Sequence, residues 1–463
     1  MTFSPLPLLK GAIWTVGAFG AGQAIRLVTN VILARLLAPE LFGIMQIVYS
    51  LRTGVELVSD VGVGQNIIYN KNANDPDFYN TAWSLQLIRG IVLWLAFCTA
   101  TVPVAEFYRT SILVFIMPIA ALAFVLFGFA SISRFLLQKR MKYNTLTAFE
   151  IGVTFVSSVT PVIFAYFSPT IWALVFGTLA GATTAMIVSH FLLPDVRHKF
   201  FVSTQYAVQI MSFGKWIFIS SIVYFLSTNF DRLYLAKAIP LQLLGVYGIA
   251  RTLSELLSTL VQRLGNNVIF PFVASHSQIA RTELHAQLAP IRIKFLLIAG
   301  LGFSLFAATA DLVIDILYDQ RYHAASWMLP ILIIGAWFAI MSNINESSLL
   351  GLGKPHYSVF GNSAKFGFLL IGLTLSVVRY GVLGAVVVVA LGDFCRYVPI
   401  FIGQTRERFS FGKQDLLATL AVFGLIGLWE FLRFTLGFGT SFDGLPPEFA
   451  AVFGMLNWQR GVL

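Results

Sequence analysis

The chain has 463 residues, 57% of them hydrophobic and only 11% charged, with a mean hydropathy of +0.80. Soluble domains carry about 25% charged residues, so a soluble globular protein is excluded. The formal net charge of +10 does not call for nucleic acid, because lysine and arginine gather in the cytoplasmic loops of membrane proteins, where they resist translocation.

Lys10 precedes the first apolar run, and no small-residue cleavage site follows a short apolar core, so an uncleaved first helix is expected. Runs of about 20 apolar residues are the mark of membrane-spanning helices. They are predicted near 11–35, 41–68, 81–102, 111–135, 146–168, 171–194, 214–238, 241–270, 290–310, 326–350, 358–378, 381–402 and 414–436. "FSPT" (167–170) and "RYG" (379–381) read as tight turns in which Pro or Gly ends one helix and starts the next. The longest polar connection, about 195–213, carries an amphipathic pattern of Tyr206, Val208, Ile210 and Met211 and is expected to lie on the bilayer surface as the joint between two halves.

Alternate loops differ in charge. One set holds Lys71, then Lys139, Arg140 and Lys142, then Arg197 and Lys199, then Arg281, Arg292 and Lys294, then Lys354, and finally Arg406, Arg408 and Lys413. The other set holds about one basic residue per loop, so the first set and the N-terminus are assigned to the cytoplasm. Thirteen spans leave the C-terminus outside. The tail, with Pro446 and Pro447, does not read as a fourteenth full span.

The sequence repeats. "RTGVELVS" (52–59) matches "RTLSELLS" (251–258) at five of eight positions. Upstream, "LARLLAPELFGI" (33–44) matches "LAKAIPLQLLGV" (235–246), and downstream "GQNIIY" (64–69) matches "GNNVIF" (265–270). The copies sit six spans apart, an even number, so both run the same way across the bilayer as a parallel repeat. The expected fold is an all-α polytopic membrane protein of two six-helix lobes, 1–195 and 214–402. A cytoplasmic linker, 196–213, joins them, and 403–463 holds a thirteenth span and tail. A substrate cavity is expected between the lobes, near the midplane.

Arg26, Arg52 and Arg251 fall near the middle of their spans, as does Glu255. An arginine at the bilayer centre costs roughly 2.5–3.5 kcal/mol even on a lenient scale, so it faces the bundle interior or a wet cavity. Two readings stand. Arg52 with Glu56, and Arg251 with Glu255, share a helix face at i, i+4 and can neutralise one another. Alternatively, surplus donors among Arg26, Arg52, Arg89, Arg251, Lys365 and Arg396 serve an anionic substrate, arginine being suited to phosphate by its planar fork. Arg89 and Lys365 can also snorkel to the surface. Asn343, Asn345 and Glu346 either line the cavity or bond between helices. Glu56, Glu255 and Glu346 are candidates for proton or ion coupling.

No phosphate-cradling loop, metal-binding HExxH or Ser/His/Asp cluster is present. Cys98 and Cys395 lie in apolar stretches, and six histidines lack ligand spacing. No enzymatic activity, cofactor or metal is expected.

"ILARLLAPELFGIMQIV", "DVGVGQNIIYN", "STNFDRLYLAKAI" with "LGVYGIA", "VIFPFVAS" and "LLGLGKPHYSV" together resemble the polysaccharide transport proteins. These are oligosaccharide flippases of the multidrug/oligosaccharidyl-lipid/polysaccharide exporter superfamily. The resemblance covers about residues 10–400 and implies a V-shaped, two-lobed fold of 12 to 14 helices. It also implies that polyprenyl-pyrophosphate-linked oligosaccharides move from the inner to the outer leaflet of the bacterial cytoplasmic membrane. Partners are then that lipid-linked oligosaccharide, membrane lipid and other polysaccharide-assembly proteins. Arginines of the first, second and eighth helices line the cavity of a related flippase, and Arg26, Arg52 and Arg251 lie on the comparable helices here. The alternatives are a multidrug or metabolite exporter of the same fold and a membrane glycan polymerase or ligase.

Overall fold

The computed structural model describes residues 5–60, 62–70, 72–276 and 278–445, and every regular element among them is helical. Among the described residues, eight helices are long and apolar enough to cross a membrane. A ninth crossing is available from Leu113–Phe129 with Ser133–Lys139, two helices bent by 54°. The chain is therefore a multi-pass membrane protein. Each apolar segment expected from the sequence falls on a helix, some of them interrupted. Pro446, Pro447 and Lys71 lie outside the described residues.

Two compact units divide between Gly245 and Val246. The first contains α1 (Pro5–Leu36), α2 (Pro39–Val58), α3 (Val63–Tyr69), α4 (Pro76–Tyr108), α5 (Leu113–Phe129), α6 (Ser133–Lys139), α7 (Tyr143–Phe167), α8 (Trp172–Phe191), α9 (Thr204–Ala238) and the opening of α10 (Leu241–Leu264). Two of its helices start where the sequence supplies a start signal. Asp75 accepts from the Asp77 amide at 3.0 Å with Pro76 in the first turn of α4, and Pro39 opens α2. Helix α9 packs on α2 and α4 within this unit.

Residues 204–213 are the first turns of α9 rather than a separate surface helix. The residues before them form an extended strap along α4. Alternate backbone amides, those of Lys199, Phe201 and Ser203, donate to Asn80 Oδ1 (2.9 Å), Ser84 Oγ (3.0 Å) and Thr81 Oγ1 (3.0 Å). The period of two along an extended chain meets a polar stripe on one helix face. The Tyr206 hydroxyl closes the strap on Asp75 at 2.8 Å.

His198 anchors the start of the strap. Its ring stacks on Trp83 at 5.2 Å, its Nε2 lies 2.8 Å from Ser131 Oγ, and the His190 and Tyr79 rings are 5.6 and 5.9 Å away. Burial, and then the neighbouring His190, lower its pKa to about 4. A released His198 takes up a proton near pH 6.5, whereas the docked one resists until about 4. Acidification between those values therefore favours release. Hydrogen exchange at the 199, 201 and 203 amides, corrected for intrinsic rate, should speed up as pH falls from 7 to 4.5. Unchanged protection would refute this role of His198.

The repeat reappears as geometry. Helix α2 stops at Val58, the chain turns through left-handed Gly62 (φ 71°), whose amide donates to Asp60 Oδ1 at 3.0 Å, and α3 resumes at Val63. The matched stretch after α10, Gly265–Ile269, is a π-helical turn. Both copies thus interrupt their helix beside the matched motif, in keeping with the rule that such breaks need local causes.

Gly43 and Gly245, matched by the repeat, lie against each other within the first unit. A Cβ on Gly43 would fall 2.0 Å from the Leu241 carbonyl oxygen, and one on Gly245 would fall 1.9 Å from that of Pro39. Only glycine permits this approach. Gly43→Ala or Gly245→Ala should destabilise the purified protein by about 1–3 kcal/mol, the usual cost of overpacking. Thermal melts in detergent measure this, and a wild-type midpoint would contradict the packing.

The second unit, from Val246, continues α10 through the π turn into α11 (Phe270–Ser275), then α12 (Arg281–Ala308), α13 (Ala310–Leu317), a short 3-10 turn, α14 (Ala325–Gly351), α15 (His356–Arg406) and α16 (Gly412–Thr435). Helix α15 is two helices joined at Gly381 (φ 57°, ψ −141°), where the sequence places the "RYG" turn. The apolar window of α14 is 83% buried against 22% for α16, so α14 is the central helix of the unit. Phe115, Phe167, Phe191, Phe360 and Phe431 are exposed, as befits residues that face lipid.

Candidate functional site

The first unit carries Arg26, Arg52 and Arg89. Arg26 is exposed on α1. Arg52, on α2, is half-buried, with its guanidinium 5.7 Å from the Tyr49 ring centroid; that ring is itself tied by its hydroxyl to Thr178 Oγ1 at 3.2 Å. Arg52 Nε and Nη1 are buried without a hydrogen-bond partner among the described residues. Glu56, one turn further on, is exposed and forms no ion pair with Arg52 among the described residues. The i, i+4 spacing thus brings the two together on one face without bonding them.

Arg89 is engaged differently. From α4 it donates to Ser59 Oγ (3.1 and 2.9 Å) and to the Glu56 carbonyl (2.5 Å), with Asp60 at 3.8 Å. It satisfies an orphan carbonyl at the C-terminal end of α2, the end at which the helix dipole favours a cation.

The second unit brings together Arg251, Glu255, Glu346, Lys365 and Arg396, and adds Asp393. Lys365 Nζ lies 2.6 Å from Asp393 Oδ1, Arg251 Nη1 lies 3.9 Å from Asp393 Oδ2, and Arg251 Nε lies 3.0 Å from Glu255 Oε1. Arg396 pairs with Glu346 and donates to Asn343 Oδ1 at 2.9 Å. Arg251, Lys365, Asp393 and Arg396 are all buried. Among the described residues, three cations meet three carboxylates from α10, α14 and α15. Buried charges require such compensation. Of the three glutamates considered for coupling, Glu255 and Glu346 are ion-paired, while Glu56 has no ion pair among the described residues.

A second network escaped the sequence reading. Arg292, counted there as a loop cation, sits inside α12 at 1% exposure. It pairs with Asp415 of α16 and donates to Asn345 Oδ1 (2.8 Å) and Gln414 Oε1 (3.1 Å). The Asn345 amide and Tyr397 hydroxyl complete the carboxylate at 3.0 and 2.7 Å. Asn345 therefore bonds between helices.

Arg134 was also passed over, because it falls at the end of the expected span 111–135 and not near its middle. It follows the break between α5 and α6, its guanidinium 4.4 Å from the Phe135 ring centroid. Among the described residues, no group of three His, Cys, Asp or Glu side chains is placed to hold a metal.

Comparisons with known proteins agree with this architecture. The chain is 24% identical over 337 residues to teichuronic acid biosynthesis protein TuaB of Bacillus subtilis, covering 69% of this chain and 66% of that protein. It is 23% identical over 267 residues to lipopolysaccharide biosynthesis protein WzxC of Escherichia coli, covering 58% and 54%. Both alignments thus span less than two thirds of the relative. A Shigella flexneri protein provisionally named an O-antigen transporter is 22% identical over 404 residues, covering 82% of this chain and 94% of its own length. Among solved structures, lipid II flippase MurJ in an inward closed conformation superposes with a TM-score of 0.69 at 12% identity, covering 91% of this chain and 92% of that one. The two chains therefore share a fold. The sequence model described as polysaccharide biosynthesis protein matches residues 32–327, well over half of the chain, and this protein belongs to that family.

Proposed function

We propose that the protein is a flippase, which carries polyprenyl-pyrophosphate-linked oligosaccharide repeat units from the inner to the outer leaflet of the bacterial inner membrane for surface polysaccharide assembly. It acts as a transporter and not an enzyme. It is multi-pass, with a cytoplasmic N-terminus, and works alongside other polysaccharide-assembly proteins. The observation that carries the reading is family membership combined with a guanidinium on α2, that of Arg52, whose Nε and Nη1 are buried without a hydrogen-bond partner among the described residues. A diphosphate takes charge-assisted hydrogen bonds from such a donor.

The test is where precursor collects in a deletion strain. Lipid-linked oligosaccharide trapped on the inner leaflet supports the flippase. Precursor trapped on the outer leaflet points to a polymerase or ligase. Normal surface polysaccharide together with drug sensitivity points to an exporter of the same fold.

A further inference from the structure

The strap between α8 and α9 has two edges. Its inner edge is bonded to α4, where the amides of Lys199, Phe201 and Ser203 meet Asn80, Ser84 and Thr81. Successive amides of an extended chain point to opposite sides, so those of Phe200 and Val202 face away from α4. Neither makes a hydrogen bond among the described residues. The outer edge is therefore open, a feature that proteins otherwise cover, pair or charge.

Apolar and cationic side chains gather at this end of the first unit. Phe200, Phe201 and Val202 are all exposed, as are Phe191 at the end of α8 and Met141 after α6. Arg197, Lys199 and Lys142 are exposed and make no ion pair among the described residues. The acids nearby are largely engaged. Asp195 pairs with Arg140 at 3.5 Å, and Asp75 accepts from Tyr206 and from the Asp77 amide. Asp77 itself is exposed on the first turn of α4. Positive charge is thus in excess along the open edge.

Helix length sets the depth of the strap. Helix α4 has 33 residues, about 50 Å at 1.5 Å per residue, against a hydrocarbon core of about 30 Å. The surplus carries its first turns, where Asn80, Thr81 and Ser84 hold the strap, into the headgroup layer. Water would not favour three consecutive large apolar side chains, and hydrocarbon would not accept open amides beside free cations. The interface between them takes both, and aromatic residues flanked by lysine and arginine are its usual composition.

We propose that the outer edge of the strap binds the headgroups of anionic phospholipids. Phosphate oxygens accept from the Phe200 and Val202 amides and are drawn by Arg197, Lys199 and Lys142, while Phe200, Phe201 and Val202 rest at the headgroup–acyl boundary. A protein strand could pair the same amides, but the excess of cations at headgroup depth favours lipid.

The test places the full-length protein in nanodiscs of phosphatidylcholine, with or without phosphatidylglycerol, and follows hydrogen exchange at single amides. Phe200 and Val202 should exchange more slowly when phosphatidylglycerol is present. Arg197→Gln combined with Lys199→Gln should lose that slowing in the same discs, whose surface pH both proteins share. Protected amides at 199, 201 and 203 show that the strap of the variant is still docked. Lys142→Gln lies outside the strap and supplies the same test should the double variant undock. In detergent, affinity for phosphatidylglycerol, read by mass spectrometry of the intact complex, should fall about fivefold for each cation removed, because a basic residue near an anionic surface contributes about 1 kcal/mol and 1.4 kcal/mol is a factor of ten. Affinity for phosphatidylcholine should hold. Slowing that survives in the variants, or equal loss of affinity for both lipids, would overturn the proposal. Equal rates in the two kinds of disc would overturn it too, and would leave the open edge to a protein strand.

Discussion

Asp415→Asn should cost the protein about 3–5 kcal/mol, the usual penalty for stripping one partner from a buried ion pair. Arg292 is 1% exposed, and its counter-charge is the Asp415 carboxylate, which also accepts from Asn345 and Tyr397. Removing that charge leaves a guanidinium stranded among α12, α14, α15 and α16. Replacing both partners, Arg292→Met with Asp415→Leu, should recover most of the loss, because the desolvation penalty disappears with the charges. Melting midpoints in detergent for the two single variants and the double variant decide it. If the two single penalties simply add to give that of the double variant, the pair is not coupled. The same network makes α16 an integral wall of the second unit, since the helix supplies the carboxylate that α12 cannot do without.

Arg52→Met should have the opposite stability effect and a large functional one. Among the described residues Arg52 Nε and Nη1 are buried without hydrogen-bond partners, so deleting the charge removes a desolvation cost and should raise stability by about 1 kcal/mol. Transport should fall at least about tenfold, because a charge-assisted hydrogen bond contributes roughly 1.5–3 kcal/mol and each 1.4 kcal/mol is a factor of ten. The pairing of higher stability with lost activity is the pattern of a residue retained for function. Surface polysaccharide in a complemented deletion strain, read beside the melting midpoint, tests both halves. Full polysaccharide output would remove Arg52 from the site, and a lowered midpoint would show that its donors are satisfied in the membrane.

Arg89 and Lys365 illustrate how charge was misjudged along the chain. Neither has an acid four residues away, so both looked like surplus cations. Arg89 instead caps the end of α2, and Lys365 meets Asp393, 28 positions distant. The Arg251–Glu255 pair was legible, because it obeys helix periodicity. Arg52 and Glu56 obey the same periodicity and do not pair, since a shared face permits contact without requiring it.

Hydrophobic run length, the Pro and Gly turns and the doubled "RT..EL.S" pattern were enough to establish an α-helical membrane protein with an internal repeat. In lipid an unbroken helix satisfies its backbone groups within its own segment, so it is written locally, residue after residue. Which cations are neutralised, and that 197–203 is strapped to α4, were decided by tertiary contacts. Those partners come from helices far apart in sequence, and a Coulomb or hydrogen-bond energy depends on distance in space, for which spacing along the chain holds no record.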